Sequence, residues 1–354
     1  MIRCLLLIFL CYGCLPAIGI AQTAPKYSNE FMNIGVGARA LGMSNAQVAI
    51  ANDVTAGYWN PAGLLEIKNK YQFSLMHSEY FAGIAKYDYV SFATPVDNKS
   101  HIAATVIRFG VDDIPDTRFL YDANGRLDYN NIRFFSAADY GMVVSYARRS
   151  NLIKGLKLGA NFKVIYRNVG DFANAWGFGL DAGAQLKIKN WHFGVMARDV
   201  TGTFNAWSHN AQLVFQTYVQ TGNVIPRNSI EITLPKLIIG IAREVKFSEK
   251  FGALFAIDFV TTFDGRRNVV VQTPFVSLDP SFGMEFNYLK KIFLRGGVNN
   301  IQTIKKFDNS TYTSFQPNFG IGLVISKFSI DYALTNVGQQ ESLYSNVFSL
   351  RVGL

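Results

Sequence analysis

Leu156-Lys157-Leu158-Gly159-Ala160-Asn161-Phe162-Lys163-Val164-Ile165-Tyr166-Arg167 alternates almost without a slip. Leu156, Leu158, Ala160, Phe162, Val164 and Tyr166 fall on one face, and Lys157, Gly159, Asn161, Lys163, Ile165 and Arg167 on the other. A period of two belongs to an extended strand whose two faces meet unlike surroundings. The run outlasts the roughly 5–6 residues of a soluble strand. It matches the ~10 residues of a tilted strand crossing a bilayer. The next segment repeats the pattern, with Trp176, Phe178, Leu180, Ala182, Ala184, Leu186 and Ile188 set against Gly177, Gly179, Asp181, Gly183, Gln185 and Lys187. Tyr140, Tyr146, Tyr166 and Trp176 stand at the ends of apolar faces, where an interfacial aromatic girdle belongs.

Extended along the chain, this reading predicts an all-β fold, a 14-stranded antiparallel transmembrane β-barrel, with strands starting near residues 71, 86, 101, 138, 156, 174, 191, 236, 252, 281, 292, 315, 327 and 346. The connections then alternate. Residues 112–137, 201–235, 264–280, 303–314 and 335–345 are long, whereas 96–100, 149–155, 189–190, 246–251, 288–291 and 326–327 are short. Long loops on one side and short turns on the other are characteristic of bacterial barrels. An even count places both termini on the short-turn side, which predicts a cell outer-membrane protein with periplasmic N- and C-termini. The second strand, Tyr87 to Thr94, alternates poorly.

Composition agrees. Aromatic residues make up 14% and charged residues 17% of the chain, the latter below the ~25% of soluble domains. After Ala21 no apolar run approaches the roughly 18 residues of a spanning helix. The net charge is +9, with the basic residues scattered along the sequence. No stripe suited to a phosphate backbone is present, so no nucleic-acid partner is expected. Scattered Lys and Arg near membrane interfaces are suited to anionic headgroups of outer-membrane lipid.

Residues 1–21 read as a secretory signal peptide, with Arg3 as its positive start, Leu5–Leu10 and the stretch to Ile20 as its apolar centre, and Gly19-Ile20-Ala21 as a small-x-small cleavage site. Cys4, Cys11 and Cys14 all lie within it. The mature chain therefore has no thiol for a disulfide, nucleophile or zinc site.

Residues 22–69 differ in texture. Gly35, Gly37, Ala38, Ala40, Gly42, Ala46, Ala49 and Ala51 make a small-residue stretch that allows close backbone approach. Asn60-Pro61-Ala62-Gly63 follows, a turn by its chemistry. The expected division is a plug or hatch over 22–69 and a transmembrane barrel over 70–354. Met32-Asn33-Ile34-Gly35-Val36-Gly37-Ala38-Arg39-Ala40-Leu41-Gly42-Met43, together with Tyr58-Trp59-Asn60-Pro61-Ala62-Gly63-Leu64, resembles the N-terminal signature of the PorV/PorQ family of outer-membrane barrels. That family is similar in turn to FadL-type transporters, which share the Asn-Pro-Ala turn in their hatch. The resemblance implies a non-catalytic component of the type IX secretion system that binds secreted cargo proteins, a surface partner or other secretion components. The alternative is a FadL-like channel for uptake of hydrophobic small molecules. An apolar lumen pocket and a kinked strand would mark a channel. Lys157, Lys163, Arg167, Asp181 and Lys187 instead line the inward face with charge.

No catalytic or metal constellation is legible. His77, His101, His192 and His209 are dispersed, and Asp112, Asp113 and Asp116 lack the Gly and Glu of a calcium loop. No nucleophile elbow is present, and no cofactor is expected. Residues 201–235 are unusually apolar for a loop. Phe204, Trp207, Phe215 and Tyr218 are the candidate partner-binding residues there, since exposed aromatic patches commonly mark interfaces.

Overall fold

The computed structural model describes residues 28–122, 124–225, 227–336 and 344–354. The expected signal peptide lies outside these residues. The strands are β1 (Gln72–Tyr80), β2 (Ala85–Asp97), β3 (Ser100–Asp116), β4 (Arg133–Arg149), β5 (Lys157–Val169) and β6 (Ala173–Ile188). Next come β7 (Trp191–Arg198), β8 (Thr203–His209), β9 (Ser229–Thr233), β10 (Lys236–Lys246), β11 (Phe251–Thr262) and β12 (Val271–Gln272). The last are β13 (Ser277–Tyr288), β14 (Ile292–Lys305), β15 (Thr311–Ile325), β16 (Phe328–Thr335) and β17 (Ser345–Gly353).

Among the described residues every strand pairing is antiparallel, and β17 returns to β1 with Gln72 opposite Gly353. Tyr71 and Leu354 exchange backbone hydrogen bonds of 3.1 and 2.8 Å beyond that ladder. The result is a closed barrel of 14 staves. β7 and β8 form one stave, because both pair with β6. β9 and β10 form the next, pairing with β8 and β7 respectively. β12 is a two-residue flank on β13.

Outward side chains are apolar along the staves. Leu158, Phe162, Trp176, Phe178 and Leu180 are exposed, while Asn161 and Lys163 between them are buried. Aromatic pairs tie adjacent staves at this surface, such as Tyr166–Trp176 with centroids 4.7 Å apart and Phe251–Tyr288 at 5.0 Å. A belt of this extent requires a hydrocarbon neighbour.

The inside departs from a simple polar lumen. Residues from Ser28 to Ile67 run through it as short helical turns, and the inner wall facing them on β1–β4, joined by Ile165 of β5, is largely apolar. Tyr80, Tyr87, Tyr89, Ala103, Ile107, Val143 and Ile165 are all buried with Phe31, Val36, Leu41, Tyr58, Trp59 and Leu64 in one cluster. This explains the poor alternation of β2. Tyr87 and Tyr89 point inward against apolar neighbours while Lys86 and Asp88 fall on the outward face beside Val90 and Phe92, so neither face reads as purely polar or purely apolar. The opposite wall is polar, with Glu285, Arg295, Asn318 and Asp331 buried.

Connection lengths are less regular than expected. The long-loop rim carries 117–132, 210–228 and 263–276, but its turns at 81–84 and 170–172 are as tight as those on the other rim. β3, β4 and β14 extend beyond the expected span and absorb residues assigned to loops.

Candidate functional site: plug, cavities and a broken wall

The internal segment is seated by close backbone approach. Inward glycines occur as cross-strand partners: Gly159 opposite Gly183, Gly194 opposite Gly240, and Gly283 opposite Gly297. A Cβ on Gly159 would lie 2.5 Å from Ala62 N, on Gly194 2.3 Å from Val48 O, and on Gly283 2.6 Å from Met43 O. A side chain at any of these would expel the backbone now occupying the space. The frequent glycines of the barrel strands thus form a seat.

Polar contacts fasten the segment to the wall. Asn60, fully buried, donates from Nδ2 to Val48 O at 2.9 Å and to Ala184 O at 3.0 Å, and its Oδ1 accepts from Ala62 N at 3.3 Å. The Asn60-Pro61-Ala62-Gly63 turn therefore packs onto β5 and β6, with Pro61 starting a 3-10 helix at Pro61–Glu66. Asp258 on β11 accepts from the amides of Gln47 and Val48, both at 2.8 Å. Arg39 forks onto Glu285 at 3.0 and 3.2 Å, and Glu285 and Asp331 flank Arg295, each at 2.7 Å. Arg351 pairs with Asp53 and Lys157 with Glu66. Buried charges of this kind persist only when matched, and here each match joins the segment to the barrel or one stave to another.

Two cavities of about 570 Å³ each lie on either side of the segment. The one toward the long-loop rim has an apolar side made by Phe31, Ile34, Val48, Trp59, Phe109, Leu234, Ile238 and Val260, and a polar side that includes Glu30, Arg198, Lys236, Asp258, Asp264, Arg267 and Asp279. The one toward the short-turn rim is more polar, lined by Arg39, Asn52, His192, Glu244 and Arg351 among others.

The first cavity reaches the wall where the wall is broken. Arg198 pairs with Lys236 and Thr203 with Thr233, so Asp199–Gly202 bulge from one stave against only Leu234 and Pro235 on the next. Asp199 and Gly202 sit at φ 56° and 69°, backbone that a regular strand does not adopt. Pro235 has no N–H to offer a ladder and is tolerated at such an interruption. The bulge is held from within. Lys163 bridges Asp181 at 2.7 Å and also pairs with Asp199, whose amide donates to Asp181 at 2.9 Å.

The four candidate loop residues separate onto two elements. Phe204 and Trp207 lie on β8, Phe204 outward with its ring tilted against Phe178 at 5.9 Å and Trp207 beneath the Arg167 guanidinium at 5.0 Å. Phe215 and Tyr218 lie on the helix Ala211–Thr221, which packs Val214 inward and receives a 2.9 Å hydrogen bond from Arg118 at Leu213 O. Residues 201–235 are thus wall extension plus a rim helix rather than a free loop. Sequence reading missed Arg198, Lys236 and Asp258. The available signals were Asp199-Val200-Thr201-Gly202, a turn-like stretch interrupting an apolar run, and Pro235 beside it.

Known barrels of solved structure share this architecture. The Ralstonia pickettii toluene transporter TbuX matches with a TM-score of 0.55 over 90% of this chain and 98% of its own, at 14% identity. The CymD monoaromatic hydrocarbon channel matches at 0.57, covering 91% and 98%, at 13% identity. A Pseudomonas aeruginosa FadL homologue matches at 0.51, covering 89% and 97%, at 10% identity. The chain shares the FadL-type barrel fold. No family model and no curated protein matches it.

These matches overturn one expectation. A PorV/PorQ-like type IX secretion role predicts secretion barrels among the structural neighbours, whereas those matched over nearly the whole chain include toluene transporters, a monoaromatic hydrocarbon channel and a FadL homologue. The Asn60-Pro61-Ala62 turn does not favour secretion, since the two resemblances share it. Secreted cargo and secretion components are withdrawn as expected partners.

Proposed function

We propose that the chain is a non-catalytic outer-membrane channel for hydrophobic small molecules, with residues 28–67 acting as its hatch. The observation that carries this reading is the cavity above the hatch, amphipathic and about 570 Å³, which abuts the break at Asp199–Gly202. Its volume is in the range of small-molecule sites. Its apolar side, Phe31, Ile34, Trp59, Phe109 and Val260, suits a ligand that water rejects. The hatch blocks a straight axial path, and the break supplies an edge through which an apolar solute passes sideways into the bilayer. The solved barrels of the same fold include toluene and monoaromatic hydrocarbon channels, which supports the substrate class.

In the same reading the long-loop rim faces outside and the termini and short turns face the periplasm. A protease-cleavable tag beside Asn124, in the connection 117–132, is then cut on intact cells. Cutting only after the outer membrane is opened would invert the topology. The function itself is tested by uptake of radiolabelled toluene into cells lacking other hydrocarbon channels. Expression of the chain raises the uptake rate, and an unchanged rate removes the proposal.

A further inference from the structure

The lysines of the short connections share one rim of the barrel. Each of the six short connections carries an exposed lysine: Lys99, Lys154, Lys189, Lys250, Lys290 and Lys327. Acids are few there: Glu249, and Asp97 between Val96 and Lys99. Beside each lysine stands a large apolar side chain that is also exposed: Val96, Ile153, Ile188, Phe247, Leu289 and Ile325 respectively. Leu152, in the 150–156 connection, is 88% exposed. Two rings on this rim also lie under cations, Tyr71 beneath Lys70 at 5.2 Å and Trp191 beneath Arg243 at 5.0 Å. The opposite rim alternates in sign, with Asp112, Asp116 and Asp264 against Arg108, Arg118 and Arg267 in ion pairs.

We infer that this rim is a lipid-recognition collar that holds anionic phospholipid headgroups around the barrel. An ammonium one to three residues from an exposed apolar side chain is the arrangement in which the charge reaches the headgroup while the apolar neighbour stays in hydrocarbon. The collar runs round the circumference and continues into the apolar belt. A soluble acidic partner would instead meet one sector and leave Leu152 and Phe247 in water. The ligand chemistry is a lipid phosphodiester, and the inference rests on the reading that the short turns face the phospholipid leaflet.

The test measures lipid binding to the purified, delipidated barrel by native mass spectrometry, using phosphatidylglycerol, phosphatidylcholine and lipid A. The wild-type chain prefers phosphatidylglycerol, and added salt erodes that preference. Replacing the six lysines with Gln lowers the preference about tenfold or more, while heat-modifiability and toluene uptake persist. That persistence separates failure of the collar from failure of the channel reading. If the variant does not insert, the wild-type salt titration still decides. A preference that is absent, insensitive to salt, unchanged in the variant, or directed at lipid A overturns the inference.

Discussion

Arg198 donates from Nη2 to the carbonyl oxygen of Tyr58 at 3.0 Å, and its guanidinium lies 4.4 Å from the centroid of the same residue's ring. It is the last residue of β7 before the wall breaks. This side chain ties the hatch to one edge of the break, with charge and ring both withdrawn from water, as Lys236 with Asn33 and Thr233 with Asn29 do on the next stave.

Removing that tie loosens the hatch without opening the barrel. Arg198→Ala forfeits a charge-assisted hydrogen bond and a buried cation–π contact, together about 2–4 kcal/mol. Residues 30–66 then become sensitive to protease in detergent, and single-channel conductance rises, while the barrel remains heat-modifiable. Unaltered protease resistance would show that Arg198 is incidental to seating.

The glycine seat makes a second expectation. Gly194→Val places a side chain where Val48 O now stands. Overpacking of this kind costs about 1–3 kcal/mol, and the hatch yields before the ladder, because the ladder's hydrogen bonds are unaffected. Conductance measurements on Gly194→Val and on Gly240→Val report leak currents absent from the wild type. At Gly125, where nothing lies within 4 Å, Gly125→Ala leaves conductance unchanged. Tight channels in both valine variants would disprove the seat.

The two faces of β5 differ in what they refuse. Phe162 is 48% exposed on the outer belt and Asn161 is 2% exposed inside. Phe162→Arg costs roughly 2–4 kcal/mol near the midplane, read as a lower urea midpoint for the folded, heat-modifiable form in liposomes. From alternation alone, Asn161→Arg is expected to be tolerated. The packing around it argues otherwise, because Asn161 donates to Gly57 O at 2.9 Å and to Asp181 at 3.2 Å, which leaves too little room for a guanidinium. Asn161→Arg therefore displaces the hatch, and free tolerance at 161 would contradict the packed interior.

The legibility of the sequence follows from these contrasts. β5 and β6 are readable because lipid meets one face and polar groups the other. β2 is not, since Tyr87 faces inward and its hydroxyl donates to Phe31 O at 3.2 Å. Its partner is a segment whose path through the lumen no local pattern reveals. The charge on Lys163 is visible, but its partners Asp181 and Asp199 stand 18 and 36 residues away and converge only when the bulge closes. Asp199-Val200-Thr201-Gly202 reads as the start of a loop, and only the pairing of β8 with β6 shows that the stave resumes. The Asn60-Pro61 turn is legible as a turn by its chemistry, whereas its anchorage to Ala184 O is set by the barrel.

The most direct test of the central claim fills the upper cavity and follows uptake. Val260 points inward from β11 into that cavity. Val260→Trp occupies it without touching the Asp258 contacts to Gln47 and Val48. Initial rates of toluene uptake are compared in cells expressing equal amounts of wild-type and Val260→Trp barrel, with a small hydrophilic solute as control. A fall of at least about tenfold for toluene, equivalent to ~1.4 kcal/mol, with no change for the hydrophilic solute, is the predicted result. Equal toluene rates in the two barrels would contradict passage through this cavity.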